Sequence, residues 1–285
     1  MKYYILFNPL SGNGNAATKA NELKMMFMNS GETEIEDITT IKDYAAFLGQ
    51  IADDDVIVLC GGDGTINRFT NNIRGIELKC NVLYSACGTG NDFLNDLGKT
   101  ADESPFSINE YIKDLPTVTI NGDKSLFMNG IGFGIDGYCC EQGDIQKAQN
   151  PHTPVNYAGI AIQGVLGKFK PKNAKVTVDG KEYTFKKVWL AATMHGRFYG
   201  GGMNCAPEQN RLAGDGFNTL VVWHGSGKIK TLMRFSSIFK GEHVKYTKMI
   251  EVIKGKNISV EFDAPSALQI DGETVTNVTK YEVQS

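Results

Sequence analysis

The sequence predicts an α/β N-terminal domain with a doubly wound parallel sheet, followed by a mainly antiparallel β domain, and three observations predict it. Apolar strand-like runs alternate with helical segments over the first third of the chain. Three of those strands are each followed by a glycine-rich turn. After Pro116 the texture changes to paired strands punctuated by Asn-Gly and Asp-Gly. The length of 285 residues exceeds the common single-domain size and agrees with two domains.

In order, residues 3–7 read as a strand, 16–28 as a helix, 33–38 as a strand, 41–52 as a helix, 56–60 as a strand and 81–85 as a further strand. Gly31 follows the first helical stretch as its C-cap. Strands 117–120 and 126–128 flank Asn121-Gly122, and strands 175–178 and 182–185 flank Asp179-Gly180, which are hairpin signals. Runs at 188–193, 219–223, 249–253, 258–262 and 268–270 extend the antiparallel part, with amphipathic stretches 155–170 and 229–240 covering it. Asp114-Leu115-Pro116 places the boundary, giving domains 1–115 and 116–285, the last few residues packing back on the first.

Apolar residues make up 41% and charged residues 21%, an ordinary globular composition that excludes a disordered chain. A net charge of −3 gives no global basic field for nucleic acid, so any membrane contact must be local. The six cysteines lack paired CxxC spacing and two are adjacent, which fits reduced thiols rather than a zinc cluster or disulfide framework. Residues 2–7 are too short for a signal h-region, and no stretch reaches the roughly 18 apolar residues a spanning helix needs. The expectation is a cytoplasmic chain that visits any lipid substrate at the inner membrane face as a transient peripheral contact. A homodimer is the prior for such an enzyme.

The three turns are Asn8-Pro9-Leu10-Ser11-Gly12-Asn13-Gly14, Gly61-Gly62-Asp63-Gly64-Thr65 and Gly88-Thr89-Gly90-Asn91-Asp92. Glycine lets backbone amides approach a phosphate, and the carboxyl ends of parallel strands form the ligand crevice of such sheets. None of the three is a GxxxxGK[ST] loop or a GxGxxG fingerprint. Asp63 and Asp92 stand where carboxylates could hold magnesium or its waters, and equally where helix N-caps are favoured.

These residues carry a resemblance. Asn8-Pro9 with Ser11-Gly12, Gly61 to Thr65 with Asn67, and Gly88 to Phe93 are similar to the three signatures of the diacylglycerol kinase catalytic-domain superfamily, which includes sphingosine and ceramide kinases. Asn129-Gly130-Ile131-Gly132-Phe133-Gly134-Ile135-Asp136, Gly200 to Met203, Ala206-Pro207, Asp215-Gly216 and Asp271-Gly272-Glu273 resemble further family landmarks in order. The resemblance implies a nucleotide lobe like that of NAD kinases and phosphofructokinases, then a β-sandwich lobe, with ATP in the cleft. It implies nucleotide contacts at Asn8, Pro9, Ser11, Gly12, Thr39, Gly61, Gly62, Asp63, Gly64, Thr65, Asn67, Gly88, Thr89, Gly90 and Asn91. It further implies Mg2+ organised by Asp63 and Asp92, Asp271 as general base with Glu273 in its network, and a structural metal on Asp215 with the carbonyls of Leu212 and Phe217.

The activity implied is transfer of the ATP γ-phosphate to the hydroxyl of diacylglycerol or a similar lipid alcohol, where a carboxylate can accept the proton of a poor nucleophile. Read from the residues alone, Asp271-Gly272 is a two-residue hairpin like Asp179-Gly180, and Asp215 lies in a loop before a strand. The sequence departs from the family's pattern at Arg68, Ala86 and Asn95, where glutamate, proline and arginine are usual, and His195 reads as structural. NAD kinase and a non-catalytic nucleotide-binding regulator are the alternatives.

Overall fold

Tyr3 to Leu6 are consecutive buried residues, and they form the body of the first strand, β1 (Lys2–Phe7). The structure is a computed structural model that describes residues 1–9, 11–87, 91–150, 153 and 155–285, without the side chains of Gly12 and Asn13. The chain divides into two units, Met1–Leu115 and Pro116–Ser285.

In the first unit β1 is followed by α1 (Ala16–Phe27), β2 (Glu32–Asp37), α2 (Tyr44–Leu48), β3 (Val56–Gly61), α3 (Asp63–Asn72), β4 (Asn81–Ala86), α4 (Asp92–Leu97), β5 (Phe106–Ser107) and α5 (Asn109–Ile112). The sheet order is β2-β1-β3-β4-β5, parallel except for β5 at the edge. Every residue of β3 is buried, because a central parallel strand is covered on both faces; its pattern is therefore continuous rather than alternating. Ala20 and Leu23 of α1 pack against Tyr3, Ile5 and Val58 to form this unit's core.

Two local readings change. The helix expected over 41–52 contracts to Tyr44–Leu48, since the Asp43 carboxylate caps it by accepting the Ala46 amide at 2.9 Å and Gly49 ends it. Gly31 is not a left-handed C-cap. The helix ends at Phe27 with Met28 as its cap, and a Cβ at Gly31 would lie 2.6 Å from the Met1 carbonyl oxygen, so close approach explains the glycine.

The second unit contains β6 (Thr117–Ile120), β7 (Asp123–Leu126), β8 (Gly130–Gly134), α6 (Ile135–Gln149), α7 (Tyr157–Gln163), a π-turn (Gly164–Lys168), β9 (Lys172–Val178), β10 (Lys181–Val188) and β11 (Leu190–Met194). These are followed by β12 (Phe198–Tyr199), β13 (Met203–Asn204), β14 (Asn218–Trp223), α8 (Lys228–Phe235), β15 (Ile250–Gly255), β16 (Asn257–Ile270) and β17 (Glu273–Gln284). The principal sheet runs β15-β14-β11-β8-β16-β17-β6-β7, antiparallel throughout.

The long strand β16 breaks register between Glu261 and Leu268. Its first half pairs with β9 and its second with β8, so one strand serves two layers. Leu220 and Val222 of β14 face the core of Phe133, Val176 and Tyr281, while Val221 and Trp223 face a second core with Trp189 and Leu190. Burial on both faces explains the uninterrupted apolar run. Within the second unit, Glu282 to Gln284 pair with β6. The sequence reading did not foresee α6, whose interior holds Gly137 and Gly143, poor helix formers that hide the helical period.

His243 lies in the second core, fully buried, with Nε2–H donating to the Cys205 carbonyl at 3.0 Å. Nδ1 has no partner among the described residues, so protonating it would bury an unsatisfied N–H. Its pKa is pushed down to about 4 by burial. A histidine held neutral in the fold gives stability that is complete above its unfolded pKa near 6.5 and is lost as pH falls toward 4. Urea unfolding should therefore show about 3 kcal/mol less stability from this group at pH 4 than at pH 7.5. His243→Gln keeps a donor without titrating and should flatten that dependence; an equally steep slope in the variant would assign it to other groups.

Candidate active site

The strands of the first unit end level with one another. Phe7 is in register with Asp37 and with Cys60, and Cys60 with Ser85. The turns after β1, β2, β3 and β4 consequently leave the same sheet edge, and the order β2-β1-β3 makes the gap between β1 and β3 the point where the winding reverses. That is where an open α/β sheet places a ligand.

Turn geometry follows from this placement. Asn8 N–H donates to the Cys60 carbonyl at 3.4 Å, and its own carbonyl accepts from Ser11 at 2.9 Å, which starts a short 3-10 turn, Ser11–Gly14. Ser11 Oγ and Thr65 Oγ1 are 3.2 Å apart, linking the first turn to the second across the switch point. Pro9, between Asn8 and Ser11 in sequence, is half-buried, and Gly12 lies in the 3-10 turn. Thr39 emerges beside β1, where Asp37 Oδ1 accepts from both its amide (2.8 Å) and its hydroxyl (2.7 Å). Asp37, which the sequence reading passed over, thus fixes Thr39. Its only signal was an acidic residue at the end of a strand.

In the second turn a Cβ on Gly61 would overlap the Thr65 side chain, so glycine is required there by space. The Gly61 carbonyl accepts from Cys87 N–H at 2.9 Å and from the buried Tyr84 hydroxyl at 3.1 Å. Gly62 precedes the first residue of α3, Gly64 lies exposed in its first turn, and Asn67 sits one turn on, accepting from Asn71. Arg68 is exposed on the same helix.

Asp63 is buried, and it caps a helix other than its own. Its Oδ2 accepts the Asp92 amide at 2.7 Å and Oδ1 the Phe93 amide at 3.3 Å, at the start of α4. The second and third turns are therefore tied through one carboxylate. Asp92 is buried beside it and Asn91 precedes α4, whereas Gly88, Thr89 and Gly90 lie outside the described residues. A hard cation takes oxygen ligands, which this pair supplies; with both Asp63 oxygens accepting amides, the fit is to a cation's water shell rather than to direct bidentate ligation.

In the second unit Asp271 and Gly272 form a two-residue turn with φ of 47° and 91°. Three amides converge on the Asp271 carboxylate: Met128 on Oδ2 at 2.5 Å, Asn129 and Gly130 on Oδ1 at 2.8 and 3.0 Å. Arg211 holds the segment that supplies them, donating to the Met128 carbonyl at 3.1 Å and to Asn129 Oδ1 at 3.0 Å. Sequence reasoning did not single out Arg211, since a lone arginine 60 residues upstream carries no pattern. Glu273 is exposed at the head of β17, opposite Ile270.

A second turn of the same kind lies in the same unit. Asp179 occupies a matching turn (φ 48°, then Gly180 at 83°), and its carboxylate likewise accepts amides of a neighbouring segment, Lys256 and Asn257. In the Asp215 loop, Gly214 and Gly216 have positive φ, Asp215 Oδ1 accepts the Phe217 amide at 3.0 Å, and the Phe217 carbonyl accepts from Gln209 at 2.9 Å. Asp215, Leu212 and Phe217 offer oxygens of the kind magnesium takes. Among the described residues no cluster of three or more His, Cys, Asp or Glu is arranged for a metal. All six cysteines are unbridged.

Residues 2–117 match the Diacylglycerol kinase catalytic domain, and residues 129–283 match the YegS C-terminal NAD kinase beta sandwich-like domain. Diacylglycerol kinases of Mycobacterium tuberculosis strains CDC 1551 and H37Rv are each 26% identical over 271 residues, covering 91% of this chain and 85% of theirs. A crystal structure of a diacylglycerol kinase from Bacillus anthracis superposes with a TM-score of 0.62 at 19% identity, covering 99% of this chain and 93% of that one, which supports the fold.

Proposed function

The chain belongs to the two-domain diacylglycerol kinase family and is an enzyme of the lipid kinase class, and from that premise we propose that it transfers the γ-phosphate of magnesium ATP to the hydroxyl of diacylglycerol or a similar lipid alcohol. The observation that carries the reading is the level sheet edge, where three turns are cross-linked by Ser11 with Thr65 and by Asp63 with Asp92 and Phe93. Backbone amides held at fixed spacing are what a polyphosphate needs.

In this reading Asn8, Pro9, Ser11 and Gly12, Gly61 to Thr65 with Asn67, Gly88 to Asn91, and Thr39 hold the nucleotide. Asp63 and Asp92 orient the water shell of magnesium, which when bound neutralises charge on the phosphates. Asp271 accepts the acceptor hydroxyl's proton, with Glu273 in its surroundings, and Asp215 with Leu212 and Phe217 stabilises its loop around a second cation. The lipid is met at a membrane surface, in keeping with the absence, among the described residues, of a helix long and apolar enough to cross one.

The test is transfer of labelled γ-phosphate to a panel of lipids in mixed micelles, with magnesium present or chelated and NAD as a control acceptor. Label in one lipid only with magnesium is the expected result; label only in NAD overturns the reading. Arg211→Ala should lower kcat roughly 10- to 100-fold, because a loosened cradle misplaces the base, while the KM for ATP stays as in wild type. A rise in that KM with kcat intact would remove Arg211 from this role.

A further inference from the structure

We propose that the face built by α7, the π-turn and α8 is the surface by which the second unit docks on an anionic lipid bilayer. The proposal rests on the reading of the acceptor as a membrane lipid and names where the enzyme meets it. Helix α8 is split lengthwise. Thr231 is buried, and Leu232 and Phe235 pack on the core around Trp223, so this face anchors the helix. Ile229 and Met233, one turn apart, are 75% and 72% exposed on the other side.

The patch continues onto the neighbouring segment. Lys228 Nζ donates to the Leu166 carbonyl at 3.1 Å, which holds the π-turn against the start of α8, and Leu166 is 56% exposed. Ile162, one helical turn earlier, is 45% exposed. Isolated exposed apolar side chains are ordinary, but four on two adjoining segments form a patch that needs a partner.

Charge selects the partner. Residues 155–172 and 224–241 together contain seven Lys and Arg and no Asp or Glu, in a chain whose net charge is −3. Lys228, Lys230 and Arg234 stand beside Ile229 and Met233, and apolar side chains flanked by cations in this way are the signature of a helix lying in the headgroup region of an anionic membrane. A second copy of the same face would set these cations against one another.

The experiment is sedimentation of the full chain with vesicles of phosphatidylcholine, alone or mixed with phosphatidylglycerol, without ATP. The expected result is binding to the anionic vesicles that weakens with salt, falls roughly tenfold in Ile229→Glu/Met233→Glu, and falls in Lys230→Glu, a surface change with no packing to disturb. Both variants should melt as wild type and phosphorylate a short-chain, water-soluble diacylglycerol at the wild-type rate. Variants that sediment as wild type overturn the proposal, as does a wild-type dimer that Ile229→Glu/Met233→Glu disperses while vesicle binding persists. Since vesicle binding is read without catalysis, its loss in the variants upholds the docking face even where no lipid is phosphorylated. Lipid phosphorylation in micelles with vesicle binding indifferent to these residues overturns the face alone.

Discussion

Asp271→Asn is expected to lower the rate of lipid phosphorylation by about 10²- to 10⁴-fold, the range that a positioned general base contributes, with ATP still bound. The substitution keeps the shape of the side chain and Oδ1 as an acceptor for Asn129 and Gly130. At Oδ2 it sets an NH2 against the Met128 N–H, donor against donor. That costs about 1–3 kcal/mol of stability, so activity must be judged beside the same substitution in a matching turn. Asp179→Asn is that substitution: the turn type matches, and its carboxylate also holds amides of a neighbouring segment. It should lose less stability, because the exposed Asp179 Oδ1 by itself accepts both amides, and it should keep its kinase activity. If the two variants lose activity in equal measure, Asp271 is a turn clamp and the base lies elsewhere.

The pairing of these two aspartates also marks how far the sequence could be read. Both Asp-Gly turns were legible as hairpins, because positive φ at two successive residues leaves few residue types able to serve. The alternation of strands and helices in the first unit was legible for a similar reason, each element burying one apolar stripe against a sheet. What the pattern could not carry was pairing across distance. The Asp63 contact with the start of α4 spans 29 residues, and the Arg211 contact with Met128 spans 83. Neither leaves a local period. The missed helix α6 is the converse case, a real helix whose Gly137 and Gly143 suppress the signal: a Cβ at Gly137 would overlap the Ala267 carbonyl, and one at Gly143 would lie 2.6 Å from the Tyr157 ring. Packing, not propensity, chose those residues.

Asp63→Ala is expected to destabilise the first unit by about 2–4 kcal/mol and to weaken ATP binding at least tenfold, since two buried amides lose a charged acceptor. The loss reaches the nucleotide through geometry. The Asp63 carboxylate is what registers the start of α4 on the turn after β3, and Thr65 on that turn meets Ser11 on the turn after β1, so one deletion loosens the turns proposed to hold the nucleotide at both joints. Asp63→Asn separates this role from metal binding. An amide oxygen can still accept from one of the two N–H groups, so part of the stability should return, about half of the loss by bond count. Were Asp63 instead a direct magnesium ligand, the same variant would melt as wild type and require far more magnesium for half-maximal rate, because a neutral amide binds the cation weakly. Thermal melting and a magnesium titration of the two variants therefore decide between tie and ligand: a melting point shifted in the order Ala, Asn, wild type establishes the tie, and an unshifted one with a raised magnesium requirement removes it.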